Sequence, residues 1–329
     1  MTSPRPTILV LTTDELGAPT GIAPLAERAT IRYTDAAGLP DAIAGADALL
    51  LWDFFSPAVE AAWQHSDRLR WIHVAAAGVD RLLFPALQES DVVVTNAHGV
   101  FDRPIAEFVL ASLLAHTKLL HESRDLQQER VWRHREPLPL HGSSALVVGT
   151  GGIGRGIARL LGAVGVAVTG AGRVGRPGDD DFRRILPSDQ LPSYVGEFDH
   201  VINVTPLTQQ TRGLFDRAVF DAMRPSAYFV NVGRGASVVE TDLVEALRSG
   251  SPAGAALDVF EHEPLPAASP LWGTPGVVIS PHLSGDVVGW RDDLAAQFVE
   301  LAGRWLDGAD LPDQVDKQLG FVTTRSSHG

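Results

Sequence analysis

Residues 145–154 read Ala-Leu-Val-Val-Gly-Thr-Gly-Gly-Ile-Gly, an apolar run that leads straight into G-x-G-x-x-G. Strand, tight turn and helix N-terminus in that order form the arrangement that receives a dinucleotide pyrophosphate. Gly149 permits the sharp turn, Gly151 lets the backbone approach the phosphates, and Gly154 lets the helix pack close to the strand. The helix then offers unpaired N–H groups and the positive end of its dipole. Gly152 and Ile153, in its first turn, join the three glycines as candidate cofactor contacts. The motif starts almost halfway along a chain of 329 residues. A segment the size of a domain therefore precedes it.

From Ser144 to Pro281 the pattern is regular. Strand candidates lie at 145–149, 165–169, 200–204, 227–232, 254–258 and 276–280, with helical stretches between most of them. That alternation predicts an α/β fold with a Rossmann-type, doubly wound parallel sheet. Upstream, the apolar runs Ile8–Leu11, Ala48–Leu51, Trp71–Val74 and Val92–Thr95 predict a smaller α/β domain with its own parallel sheet. Within it, Pro57 to Gln64 reads as a helix with Ser56 as N-cap. Ile105, Phe108, Val109, Ser112, Leu113 and Leu120 recur near the helical period, so one helix is predicted from Pro104 to Leu120. An amphipathic helix over 292–306 is expected to return to the first domain and make it discontinuous. The division is then 1–98 completed by 290–329 as the substrate domain, and 99–289 as the NAD(P)-binding domain.

The formal net charge is −13 and there are no cysteines. An acidic chain is not built to bind nucleic acid or anionic lipid through its overall field. Without cysteine there are no disulfides, thiolate metal sites or thiol nucleophiles. No metal-ligand spacing is present, and no apolar stretch reaches the roughly 18 residues of a spanning helix. The expectation is a cytoplasmic protein with no metal and no membrane partner, whose polar tail from Thr323 to Gly329 is frayed.

In a doubly wound sheet the ligand lies outside the carboxyl ends of the strands. Those ends here carry Thr205-Pro206, Asn231 to Gly235 with Arg234, Asp258 with Glu261 and Glu263 just after it, and Pro281-His282. In this order, with Ala77-Gly78-Val79-Asp80, the glycine motif, Pro206-Leu207-Thr208 with Thr211, and the run Leu257 to Pro264, the chain resembles the D-isomer-specific 2-hydroxyacid dehydrogenase family. That family includes glyoxylate/hydroxypyruvate reductases and phosphoglycerate dehydrogenases. The resemblance covers roughly residues 70 to 320.

The resemblance implies a flavodoxin-like first domain and a homodimer, for which the helix from Pro104 is a candidate interface. It implies oxidoreduction between a 2-keto acid and a D-2-hydroxy acid by hydride transfer with a nicotinamide cofactor. It assigns Arg234, Glu263 and His282 as a catalytic triad. A histidine can supply the proton that the reduced oxygen needs at neutral pH. Glu263 on its other ring nitrogen would fix the tautomer and raise its pKa. Arg234 would grip the substrate carboxylate and polarise the carbonyl. Thr205, Pro206, Thr211, Val232, Gly233, Asp258, Ser284 and Gly285 would line the cofactor, together with Arg234 and His282. Ala76, Ala77 and Gly78 would bind the substrate carboxylate through backbone N–H groups, with Asn96 nearby.

NAD-binding members close the second strand with an acid that bonds the ribose 2′-OH. Here Gly172 stands about where that acid is expected and Arg173 follows it, with Arg176 close behind. Arginine can neutralise a 2′-phosphate, so NADP(H) is the expected cofactor and NAD(H) the other candidate. Trp52, Phe54, Phe55 and Trp290 are either pocket walls or core, and Asp286 has no assigned role. A cofactor-sensing corepressor, or another chemistry such as formate oxidation, remains compatible with the same plan.

Overall fold

The structure, a computed structural model, describes residues 5–323. The stretch 324–329 of the tail expected to fray lies outside the described residues. The chain forms two compact units. One takes the residues up to Val100 and those from Val287 onward, and the other runs from Phe101 to Asp286. These limits fall a few residues from 98/99 and 289/290.

The first unit is built on β1 (Thr7–Leu11), β2 (Thr30–Thr34), β3 (Ala48–Leu51), β4 (Trp71–Val74) and β5 (Val93–Asn96), ordered β2-β1-β3-β4-β5. Every pairing is parallel, and the order is the flavodoxin-like one. The four apolar runs became β1, β3, β4 and β5, because a strand covered on both faces needs apolar residues on both. β2 is an edge strand whose Thr-Ile-Arg-Tyr-Thr sequence gives no such run. The helix expected over 57–64 is shorter. It spans Ala58–Ala62, passes into a 3₁₀ turn at Trp63–His65, and is capped by Pro57, while the Ser56 hydroxyl accepts from Ala58 N at 3.3 Å. The Trp290–Leu306 helix belongs to this unit. Phe298, fully buried, stacks on Trp71 with ring centroids 5.5 Å apart, and Trp305 packs on the same indole.

The second unit contains β6 (Ser144–Val148), β7 (Ala167–Gly172), β8 (Arg176–Pro177), β9 (Arg184–Pro187), β10 (His200–Asn203), β11 (Tyr228–Asn231), β12 (Gly254–Leu257) and β13 (Val277–Ile279). Their order is β13-β12-β11-β10-β6-β7-β9-β8, parallel except for the short edge strand β8. This is the doubly wound Rossmann arrangement, with its order reversing between β6 and β10. The helix expected from Pro104 to Leu120 is two helices, Asp102–Thr117 and Leu120–Glu129. The Thr117 hydroxyl bonds back to Leu113 O, and Leu119 adopts a left-handed φ of 55° that ends the first helix.

Two histidines sit inside the sheets. Burial lowers His73 of β4 to about 3 and His200 of β10 to about 4, the latter against the pull of Asp199. Both folded-state values lie below the unfolded value, so unfolding takes up protons in acid. Their contribution is present above about pH 6.5 and is lost as the pH falls toward 4. Denaturant unfolding at pH 7.5 and at 5 should show each ring lowering stability by about 1 kcal/mol per pH unit. His73→Phe should flatten the slope for the first unit.

Candidate active site

β6 is followed by Gly149, whose φ of 112° only glycine tolerates well. A Cβ there would lie 2.7 Å from Val204 O, and one on Gly154 would lie 1.9 Å from Gly149 O. The turn and the start of the Gly152–Ala163 helix are therefore pressed together. Gly151 caps that helix in extended backbone, and a Cβ on it would meet nothing within 4 Å. Open space lies where the motif predicts the pyrophosphate, beside the N–H groups of a helix start. The cradle fits a dinucleotide. Gly152 has a different neighbour. Its Cβ would reach Asp102 Oδ2 at 2.7 Å and that of Gly156 would reach Asp102 O at 3.0 Å, so both let the Asp102–Thr117 helix approach.

Arg234 follows β11 and is held by buried amides. Asn203 Nδ2 donates to Asn231 Oδ1 at 2.9 Å and to Ser237 Oγ at 2.6 Å. Ser237 Oγ donates in turn to Arg234 O, and Asn231 Oδ1 accepts from Gly233 N. Asn203, Asn231 and Ser237 are at most 1% exposed, so each needs such partners. Asn203 and Ser237 were not among the predicted site residues. The available signal was an asparagine ending an apolar strand. A Cβ on Gly235 would collide with Phe260 carbonyl carbon at 1.8 Å, so glycine is what lets the segment bearing Glu263 pass beside Arg234.

His282 Nδ1 lies 2.7 Å from Glu263 Oε2, and Glu263 Oε1 accepts from Phe260 N at 2.9 Å. Burial alone would raise the Glu263 carboxyl. The hydrogen bonds from His282 and Phe260 N, with the charges of His282 and Arg234, outweigh it and hold the group below the usual carboxylate value. His282 and Arg234 thus both act on the Glu263 carboxylate. His282 has a φ of 54° and donates its N–H to Asp258 O at 2.8 Å. Asp258 is completely buried, and its two carboxylate oxygens accept from Leu283 N at 2.9 Å and Ser284 N at 3.0 Å. What the structure gives Asp258 is the turn that presents His282.

Several residues expected along the cofactor have internal partners. Thr205 bonds Asn203 Oδ1 through both N–H and hydroxyl, and Thr211 Oγ1 donates to Pro206 O at 2.6 Å. A Cβ on Gly233, beside Val232, would lie 2.9 Å from Thr205 O, and one on Gly285 would lie 2.7 Å from Phe101 Cδ1. Gly172 ends β7 beside Thr150, whose Oγ1 would be 3.2 Å from a Cβ there. Arg173 is exposed, and Arg176 is 3.9 Å from Asp179.

In the first unit, Asn96 Nδ2 donates to Ala77 O at 2.5 Å and Ala97 N to Ala76 O, which fixes the loop of Ala76, Ala77 and Gly78. Asn96 Oδ1 is buried without a hydrogen-bond partner. Trp52 is buried and Phe54 packs on the unit's core, whereas Phe55 is half exposed beside Arg81. Trp290 lies edge-on to Phe54 at 6.3 Å. Among the described residues no helix is long and apolar enough to cross a membrane, and no cluster of three His, Asp or Glu could hold a metal ion.

Residues 110–284 match the family model described as the NAD binding domain of D-isomer specific 2-hydroxyacid dehydrogenases. A glyoxylate/hydroxypyruvate reductase A of Serratia proteamaculans is 30% identical over 263 residues, 77% of this chain and 82% of its own length. A crystal structure of a D-isomer specific 2-hydroxyacid dehydrogenase family protein from Aeromonas salmonicida is 33% identical, covers 95% of this chain and 100% of that one, and has a TM-score of 0.80. An NADPH-dependent glyoxylate/hydroxypyruvate reductase from Sinorhizobium meliloti, solved with NADP and sulfate, is 27% identical. It covers 96% of this chain and 100% of its own, with a TM-score of 0.82.

The glycine geometry separates two kinds of variant. Gly151→Ala should keep the wild-type melting temperature and lose dinucleotide binding by at least about tenfold, measured by nucleotide fluorescence titration. Gly154→Ala should lower the melting temperature as well, since its Cβ has no room.

Proposed function

The chain belongs to the D-isomer specific 2-hydroxyacid dehydrogenase family, and from that premise we propose that it reduces a small 2-keto acid to the D-2-hydroxy acid with NADPH as preferred reductant. The observation that carries this reading is the 2.7 Å contact of His282 Nδ1 with a Glu263 carboxylate that also feels the charge of Arg234.

The cofactor, when bound, supplies the hydride. Glu263, held in its ionised form, keeps the Nδ1 proton of His282 in place and turns Nε2 toward the substrate oxygen. His282 then gives a proton to the oxygen as negative charge develops there. Arg234, planar and always charged, grips the carboxylate and stabilises the same developing charge. In this reading the backbone N–H groups of Ala76, Ala77 and Gly78 hold the substrate carboxylate. Asn96 keeps their loop in shape through Ala77 O. Glyoxylate and hydroxypyruvate are the first substrates to test, because reductases of those acids are among the relatives.

NADPH preference is supported by Gly172, which puts no carboxylate at the end of the second strand, and by exposed Arg173 beside it. A relative described as NADPH-dependent is consistent with that.

A panel of 2-keto acids run with NADPH and NADH tests the activity. His282→Ala should lower kcat by about 10²- to 10⁴-fold, and Glu263→Gln by less. An unchanged kcat in His282→Ala removes the proposed acid. Gly172→Asp would add a carboxylate at a position whose Cβ lies 3.2 Å from Thr150 Oγ1, so the hydroxyl must give by a few tenths of an ångström. The ratio of kcat/KM for NADPH over NADH should fall by about tenfold or more.

A further inference from the structure

Between β7 and β9 the chain runs through Arg173 to Arg183. Gly172 is in register with Pro187 of β9, and Arg176 and Pro177 of β8 pair antiparallel with Ile185 and Arg184. The stretch from Arg173 to Arg176 is thereby laid along β9 beside the end of β7. The tip of this hairpin is closed by Asp179. Its Oδ1 accepts from Asp181 N and Phe182 N, both at 3.1 Å, and its own N–H donates to Phe182 O.

The tip is also bound to the glycine-motif helix. Arg155, the residue after Gly154, donates Nη2 to Asp179 Oδ2 at 2.8 Å and Nη1 to Asp181 Oδ2 at 2.6 Å. Its guanidinium lies over the Phe182 ring, 5.6 Å from the centroid. One turn on, Arg159 donates Nε to Asp181 Oδ1 at 2.7 Å and Nη2 to Oδ2 at 3.3 Å. The Asp181 side chain is only 9% exposed. Arg159 first, then Arg155, hold its carboxyl below the usual range against burial. The two carboxylates are met by the guanidiniums of Arg155 and Arg159, and Arg176 of the same hairpin lies 3.9 Å from Asp179 as well.

We propose that Asp181 and Asp179 are positioning residues for cofactor discrimination, locking the hairpin to the dinucleotide helix so that Arg173 and Arg176 stand ready at the end of the second strand for a ribose 2′-phosphate. This rests on the NADPH reading above. Arginines on an untethered loop would have to be ordered by the ligand at an entropic cost, and a fixed loop removes that cost. NADH lacks the phosphate and draws nothing from the clamp.

Charge and positioning give opposite signs. Asp181→Asn removes a negative charge near the site, which by Coulomb attraction alone would tighten binding of a phosphate dianion. Loss of the clamp weakens it. Kd values for NADPH and NADH, measured by calorimetry on the full chain, distinguish the two. Asp181→Asn should raise the NADPH Kd by about tenfold and move the NADH Kd by less than about twofold. An unchanged or lower NADPH Kd overturns the proposal, as does an equal rise for both cofactors. Arg159→Gln, which cuts one exposed arm of the clamp, should shift NADPH alone by about threefold, and equal wild-type and variant Kd values there also count against it. Arg173→Ala tests the reading beneath. Wild-type protein that binds NADH as tightly as NADPH, or Arg173→Ala that leaves NADPH binding intact, defeats the NADPH reading itself. Wild-type preference lost in Arg173→Ala but kept in both clamp variants defeats only the clamp.

Discussion

A wholly buried carboxylate holds the turn that carries the site's histidine. Burying polar oxygens is expensive unless they find donors, and those of Asp258 find two in Leu283 N and Ser284 N. Those bonds fix the backbone immediately after a residue in the left-handed region, His282 at φ 54°. A non-glycine residue there costs about 1 kcal/mol or more. The surrounding bonds, including His282 N to Asp258 O, overdetermine the strained conformation. Glu263 then receives the ring from one side, while Gly235 lets its segment cross beside Arg234 without a clash. Remove the donors to Asp258 and the ring has no reason to point at Glu263.

Much of this was legible in the sequence. A glycine motif after an apolar strand and polar residues at successive strand ends identify a doubly wound sheet and the edge that bears its chemistry. The strand ends put Arg234, Asp258, Glu261, Glu263 and His282 on one edge, and the resemblance to the dehydrogenase family assigned Arg234, Glu263 and His282 as the triad. Other features leave little trace. β2 is an edge strand with no continuous apolar run. The break after Thr117 rests on a side-chain bond to Leu113 O and a left-handed leucine, inside a segment whose apolar spacing reads as unbroken helix. The buried amides of Asn203 and Ser237 are adjacent only once β10 and β11 have paired. Clamp residues Asp179 and Asp181 read as ordinary charged loop until the Gly152–Ala163 helix lies against them.

Several motif residues turn out to serve shape as much as contact. Thr205 and Thr211 engage the loop they sit in, Gly233 accommodates the Thr205 carbonyl, and Gly285 accommodates Phe101. A recurring polar or glycine residue at a strand end is thus evidence for a precise backbone path, along which N–H groups and a few charged side chains meet a ligand. In that arrangement, a substitution far from any reacting atom can displace the chemistry by moving the chain beneath it.

The Trp290–Leu306 helix lends its buried face to the first unit, with Phe298 and Trp305 against Trp71. This has a consequence for biosynthesis. The second unit is one unbroken stretch of chain, complete once residue 286 has been made, and a growing chain folds its finished units first. The first unit, although its sheet emerges earliest, keeps the indole of Trp71 uncovered until Trp305 has left the ribosome. The sheet that is translated first is therefore the last to close, and it waits beside an already folded neighbour.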